Sequence, residues 1–156
     1  MSNDVYGYIV PALTTTARVQ LQKYIKACTL NIQTITTGQL FNFPLKLMPE
    51  EIVFAFDIAD GPNSINATYL IDYNEYDPEN SSIGFPPGAK DRLNLLLDVL
   101  SDMFSITNAQ KMVVALTECN QIEIIKKIKF SELYDVIHAD FEVYQGPPDT
   151  LYEITA

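Results

Sequence analysis

Between 51 and 58 the chain alternates: Ile52, Phe54, Phe56 and Ile58 fall on one side of an extended backbone, Val53, Ala55 and Asp57 on the other. A two-residue period of this kind predicts a strand. Turn chemistry follows in Asp60-Gly61-Pro62-Asn63-Ser64, and the extended pattern resumes over 67–73 with Tyr69, Ile71 and Tyr73 together. The two segments are expected to pair as an antiparallel hairpin. A shorter strand is predicted over 5–10, stopped by Pro11, and the unbroken apolar run Met112-Val113-Val114-Ala115-Leu116 predicts a central strand covered on both faces. Ile122, Ile124, Ile125 and Ile128 favour a strand over 122–130 as the hairpin partner of that run, with a short helix as the alternative. Leu151 to Thr155 reads as a final edge strand.

Helical spacing governs three other segments. Thr14, Thr15 and Thr16 offer hydroxyl caps to a first helix whose apolar stripe is Val19, Leu21, Tyr24, Ile25 and Cys28. After it, Asn31 to Thr37 suits strand as well as helix, and Gly38 closes the segment. Asp91 is the expected cap of a second helix, whose core face is Leu93, Leu96, Leu97, Leu100 and Phe104. Ser131 is expected to cap a third helix reaching Asp140, with Leu133, Tyr134, Ile137 and Phe141 roughly on one side. Between 74 and 88 lie Pro78, Gly84, Pro86, Pro87 and Gly88, which predict a loop longer than most, a kind of segment that often carries function. Together the elements predict an α+β fold: a mainly antiparallel sheet of about five to six strands, packed with about two to three helices in a single compact domain over 1–156.

Composition fits a packed domain, since 47% of the residues are hydrophobic and a disordered chain is depleted in them. Cys28 and Cys119 lie far apart, each in an apolar stretch, so they make neither a zinc pattern nor a disulfide framework. Both are expected as buried thiols. Met1 to Pro11 contains Asp4 and no basic residue, unlike a secretory signal, and no apolar run approaches the ~18 residues of a membrane span. A cytoplasmic protein is therefore expected, in which the glycosylation patterns at Asn66 and Asn80 have no meaning.

Charge changes the picture more. The net charge is −10, and its distribution is uneven. Between Lys46 and Lys90 there is no basic residue, while Glu50, Glu51, Asp57, Asp60, Asp72, Glu75, Asp77 and Glu79 all lie there. After Lys129 the pattern recurs with Glu132, Asp135, Asp140, Glu142, Asp149 and Glu153. Such a field repels nucleic acid and anionic membranes and attracts cationic surfaces.

Motifs for chemistry are absent from the sequence. A Ser or Cys nucleophile needs a base, and the one imidazole, His138, lies two residues from Asp140, a spacing that does not bring helical side chains together. There is no G-x-S-x-G, no phosphate-cradling glycine loop and no H-E-x-x-H. The run from Asp72 begins like a calcium loop, but Asp77 stands where that loop turns on glycine and Ile83 where it needs a bidentate carboxylate. Paired carboxylates for glycoside hydrolysis cannot be picked out among so many acids. Neither catalytic activity nor a cofactor nor a metal is expected.

The segment 69–80 stands out because it interleaves Tyr69, Tyr73 and Tyr76 with Asp72, Glu75, Asp77 and Glu79. Tyrosine offers contact area at little entropic cost, and carboxylates receive Arg and Lys, so the segment suits a basic protein surface. A second candidate patch comprises Asp135, Asp140 and Glu142 beside Tyr144. The expected role is that of a cytoplasmic immunity protein, which neutralises a cognate basic toxin, such as a nuclease, by stoichiometric binding. Two other classes fit the same residues: an acidic nucleic-acid mimic that inhibits a DNA-binding protein, and a small enzyme or ligand-binding domain with a carboxylate-lined pocket.

Overall fold

The computed structural model describes residues 5–11, 13–49, 53–59, 70–71 and 88–156. Six strands form one sheet: β1 (Val5–Val10), β2 (Asn31–Ile35), β3 (Phe54–Ala59), β4 (Lys111–Leu116), β5 (Ile124–Lys129) and β6 (Thr150–Thr155). Their order across the sheet is β2-β3-β1-β4-β6-β5, antiparallel throughout except that β5 runs parallel to β6. Three helices are described, α1 (Thr15–Ala27), α2 (Ala89–Ile106) and α3 (Leu133–Tyr144). The fold is α+β with a mixed, mostly antiparallel sheet. Among the described residues no helix is long and apolar enough to cross a membrane.

The alternation that predicts β3 decides its faces. Phe56 and Ile58 enter the core beneath the helices together with Ile9, Met112, Val114, Tyr152 and Ile154. From the helix side come Leu21, Leu93, Leu96, Leu97, Leu100, Ile137 and Phe141, the apolar stripes of α1, α2 and α3. The opposite face is partly covered by the strap 36–49, which drops Leu40, Phe43 and Leu47 onto Tyr8, Ala55, Val113, Ala115 and Leu151. As its sequence predicts, β4 is therefore buried on both faces. At Gly7 of β1, the register partner of Phe56 on β3, an added Cβ would stand 2.5 Å from the Val113 carbonyl oxygen and 2.9 Å from the Phe56 ring. Glycine is needed there because the Val113 carbonyl and the Phe56 ring occupy the space a side chain would take.

Several expectations are corrected. β3 is flanked by β1 and β2, so no edge remains for a hairpin with 67–73. Leu70 and Ile71 are helical and fully buried in the helix-side core rather than extended. The segment 31–35, which suits either state, is strand. β5 exists but does not pair with β4, whose neighbours are β1 and β6. Instead the chain passes from β5 through α3 to β6, the helical crossover that parallel strands require. This places β6 inside the sheet and β5 at its edge.

At the ends of the helices, local chemistry is partly as expected. Thr14 caps α1 by accepting from the Ala17 amide at 3.1 Å. Ala17 and Leu21 are the buried residues of that helix, whereas Val19 is 48% exposed and leaves the predicted stripe. α2 starts two residues before Asp91, at Ala89, with Gly88 as its cap and Asp91 in the first turn. A short 3-10 turn, Phe130–Glu132, leads into α3 in place of a Ser131 cap, and the Glu132 carboxylate there accepts from the Lys129 amide at 2.9 Å.

Candidate functional site

The outward face of the helix layer is built around α2. Its apolar stripe faces the sheet, so Asp91, Asp98 and Asp102, spaced seven and four residues apart, share the solvent side. α1 flanks it on one side and α3 on the other. Tyr24 of α1 donates its hydroxyl to Asp102 at 2.8 Å, and Tyr134 of α3 donates to Asp98 at 2.5 Å. One turn along α3, His138 Nε2 meets Asn94 Oδ1 at 2.7 Å, one turn back on α2, so these two helices run antiparallel.

These contacts hold the carboxylates in place. Burial and the accepting Asp98 carboxylate push the Tyr134 phenol up to about 12, and burial with Asp102 pushes Tyr24 well above the ordinary phenol range. Both phenols therefore stay protonated and donate, while Asp98 and Asp102 are exposed to solvent. Asp135 and Glu142 are exposed too and, seven residues apart, lie on one side of α3. Among the described residues no Lys or Arg comes within ion-pair distance of Asp98, Asp102, Asp135 or Glu142. Lys90 lies close enough to His138 to lower its pKa, an effect second to burial and opposed by Asp135.

The structure treats the sequence-predicted residues differently. Tyr69, Asp72, Tyr73, Glu75, Tyr76, Asp77 and Glu79 lie outside the described residues. Of the second patch, Asp135 and Glu142 are exposed, and Tyr144 is 54% exposed. Asp140 turns the other way. It receives Lys126 of β5 at 2.8 Å on each oxygen and the Tyr152 hydroxyl at 2.7 Å, so its charge is spent inside the fold. Burial and that carboxylate raise the Tyr152 pKa, keeping the phenol a donor.

Sequence reasoning missed Asp98 and Asp102, although their spacing within the polar stripe of a predicted helix was the available signal. It also placed both thiols inside, whereas Cys119 is exposed at the turn after β4 and Cys28 is half-buried. His138 and Asp140 do not meet, in keeping with their spacing: one contacts α2, the other β5 and β6.

On the far side of the sheet an open groove of about 620 Å³ runs between the strap and strands β1 and β4. Its described lining includes Lys46 and Lys111, not converging carboxylates. No family model matches the chain, and no curated protein or solved structure matches it either.

Proposed function

We propose that the protein binds a basic partner protein in a stoichiometric complex, through the acidic outer face of α2 and α3 and the acidic, tyrosine-bearing segment 69–80. The supporting observation is the pinning of Asp98 and Asp102 by Tyr134 and Tyr24. Carboxylates already fixed in place lose little freedom when a guanidinium or ammonium group arrives, and each keeps an oxygen lone pair for it. Asp135 and Glu142 extend the same field along α3, and like-signed exposed charges speed encounter with a cationic surface. A toxin nuclease, cationic because it holds phosphates, is the partner type that this chemistry suits, and the role is then that of its immunity protein. Covering a cleft needs no catalytic group on the inhibitor.

The test is purification of the tagged protein from its native host, followed by identification of any basic protein that co-elutes in a constant ratio. The complex should weaken as salt rises. Asp98→Lys/Asp102→Lys/Asp135→Lys should lower its affinity at least about tenfold, a loss of roughly 1.4 kcal/mol. Asp72→Lys/Glu75→Lys/Asp77→Lys should weaken it as well. Unchanged affinity and salt response in both triple variants would remove these surfaces from the interface.

A further inference from the structure

β5 ends the sheet on the side of α3, and the hydrogen bonds around it show which backbone groups face outward. The Ile124 amide donates to the Asp149 carbonyl just before β6, and the Ile128 carbonyl accepts the Thr155 hydroxyl, so Ile124, Lys126 and Ile128 turn their backbone groups toward β6. Backbone groups alternate in direction along a strand, which leaves the N–H and C=O of Ile125 and Lys127 pointing away from the sheet. This open stretch is bounded at both ends, because Asp149 also takes the Glu123 amide and the Glu132 carboxylate takes the Lys129 amide. Apolar side chains gather at the same edge. Of the eight exposed large hydrophobic residues among the described ones, Ile124 and Ile125 belong to β5 and Val143 and Tyr144 to the last turn of α3. α3 returns alongside β5, with Asp140 on Lys126, so that last turn lies toward the Ile124 end of the strand.

We propose that this edge pairs with the same edge of a second copy of the chain, joining two six-stranded sheets into one. A two-fold axis beside Lys126 makes the strands antiparallel and sets Ile125 opposite Lys127 of the second copy. The two outward N–H and two outward C=O groups of each strand then make four hydrogen bonds with none left over, the main-chain mode of strand addition. In this register Glu123, exposed just before the strand, falls opposite Lys129 of the second copy, and Ile124 falls opposite Ile128. Lys126 meets Lys126 of the second copy, but each already donates to both oxygens of its own Asp140, so the cluster is neutral. Edge lysines guard against other pairings. A slip of two residues, for instance, sets Lys127 directly against Lys127. Two copies of net charge −10 repel over most of their surface, and β5 carries three of the ten basic residues, so approach costs least here.

Sedimentation equilibrium of the full-length protein from about 1 to about 200 µM, with amide hydrogen exchange at both limits, tests the pairing. The mass should rise from one chain to two, with Kd below about 50 µM. In dilute solution the Ile125 and Lys127 amides should exchange fast while β6 protects those of Lys126 and Ile128. In concentrated solution Ile125 and Lys127 should slow at least about tenfold. Lys127→Pro removes an outward N–H and no bond to β6, so it should keep the fold and weaken association at least about tenfold. Glu123→Lys and Lys129→Glu should each weaken it about three- to tenfold, and the two reversals together should restore it, which a damaged fold would not do. The proposal is overturned if the protein stays a single chain throughout, if it associates while Ile125 and Lys127 still exchange fast, or if the paired reversal binds no tighter than the weaker single one. The charge reversals decide the matter even if Lys127→Pro folds poorly.

Discussion

At the scale of single residues, space and solvation decide what each position tolerates. Gly7 faces the Phe56 ring on one side and the Val113 carbonyl on the other, and neither is the loose end of a flexible chain. Gly7→Ala should therefore destabilise the protein by about 1–3 kcal/mol, the usual penalty for overpacking, read as a lower urea midpoint. Phe56→Leu in the same background should not restore stability, because the carbonyl contact at 2.5 Å is backbone and stays. Full rescue would mean that the ring alone excludes the methyl group. His138 makes a second residue-level test. Burial and Lys90 lower its pKa from the ordinary 6.5 more than Asp135 raises it, and its Nδ1 is buried with no hydrogen-bond partner. The unfolded chain then takes up the proton first as the solution is acidified. The stability tied to the neutral ring is complete above about 6.5 and is lost as pH falls from there through the lower folded value. Denaturation midpoints of the wild type should fall more steeply from pH 7.5 to 5 than those of His138→Gln. Parallel slopes would show that the imidazole is equally solvated in both states.

Between elements, the structure depends on contacts that a single segment does not announce. α3 is fastened to the β5–β6 pair by Asp140, which holds Lys126 and Tyr152 together. Asp140→Ala leaves the largely buried Tyr152 hydroxyl without its acceptor and Lys126 without its counter-charge, and should cost about 1–3 kcal/mol. Tyr152→Phe removes donor and demand together and should cost less, about 1 kcal/mol, in the same urea titration. The reverse order would mean that the phenol finds another acceptor. This junction shows what was legible beforehand. Isoleucines at 122, 124, 125 and 128 announce a strand, but strand propensity is silent about partners, and a hairpin with β4 looks as good as a parallel pairing reached through a helix. The same silence let Phe54, Phe56 and Ile58 mark a strand correctly while its neighbour was misassigned: β1, far earlier in the chain, takes the edge that a local hairpin would need. Helices α2 and α3 were legible because their apolar stripes are long. Val19 was misplaced in α1 because a loosely periodic stripe admits several rotations.

Across the whole molecule, charge is only partly sorted between two faces: Arg18, Lys23, Lys26 and Lys90 also sit on the helix layer, and Glu153 stands beside Lys111 on the sheet. Lys46, Lys111, Lys127 and Lys129 lie on the strap and the open face of the sheet, while Asp91, Asp98, Asp102, Asp135 and Glu142 point out from the helix layer. The acidic runs around 72–79 and after Lys129 were visible as runs, whereas Asp98 and Asp102 read as isolated residues until a helix stacked them one turn apart. The same reading counted Asp140 as surface because only coordinates show Lys126 reaching it. This sorting has an energetic consequence. Like charges one turn apart repel, so this acidic face is held against the stability of the protein. Asn in place of Asp98, Asp102 and Asp135 preserves an oxygen for Tyr134 and Tyr24 to donate to and removes three negative charges. The triple Asn variant should be more stable than wild type by a few tenths to about 1 kcal/mol at low ionic strength. Added salt screens the repulsion in the wild type, so the two proteins should converge as NaCl rises to about 0.5 M, where the Debye length is shorter than the spacing between helices. Thermal unfolding across a salt series measures both. If the variant gains nothing at low salt, or keeps its gain undiminished at high salt, these carboxylates do not repel one another through solvent, and the field invoked to draw in a basic partner is weaker than their placement implies.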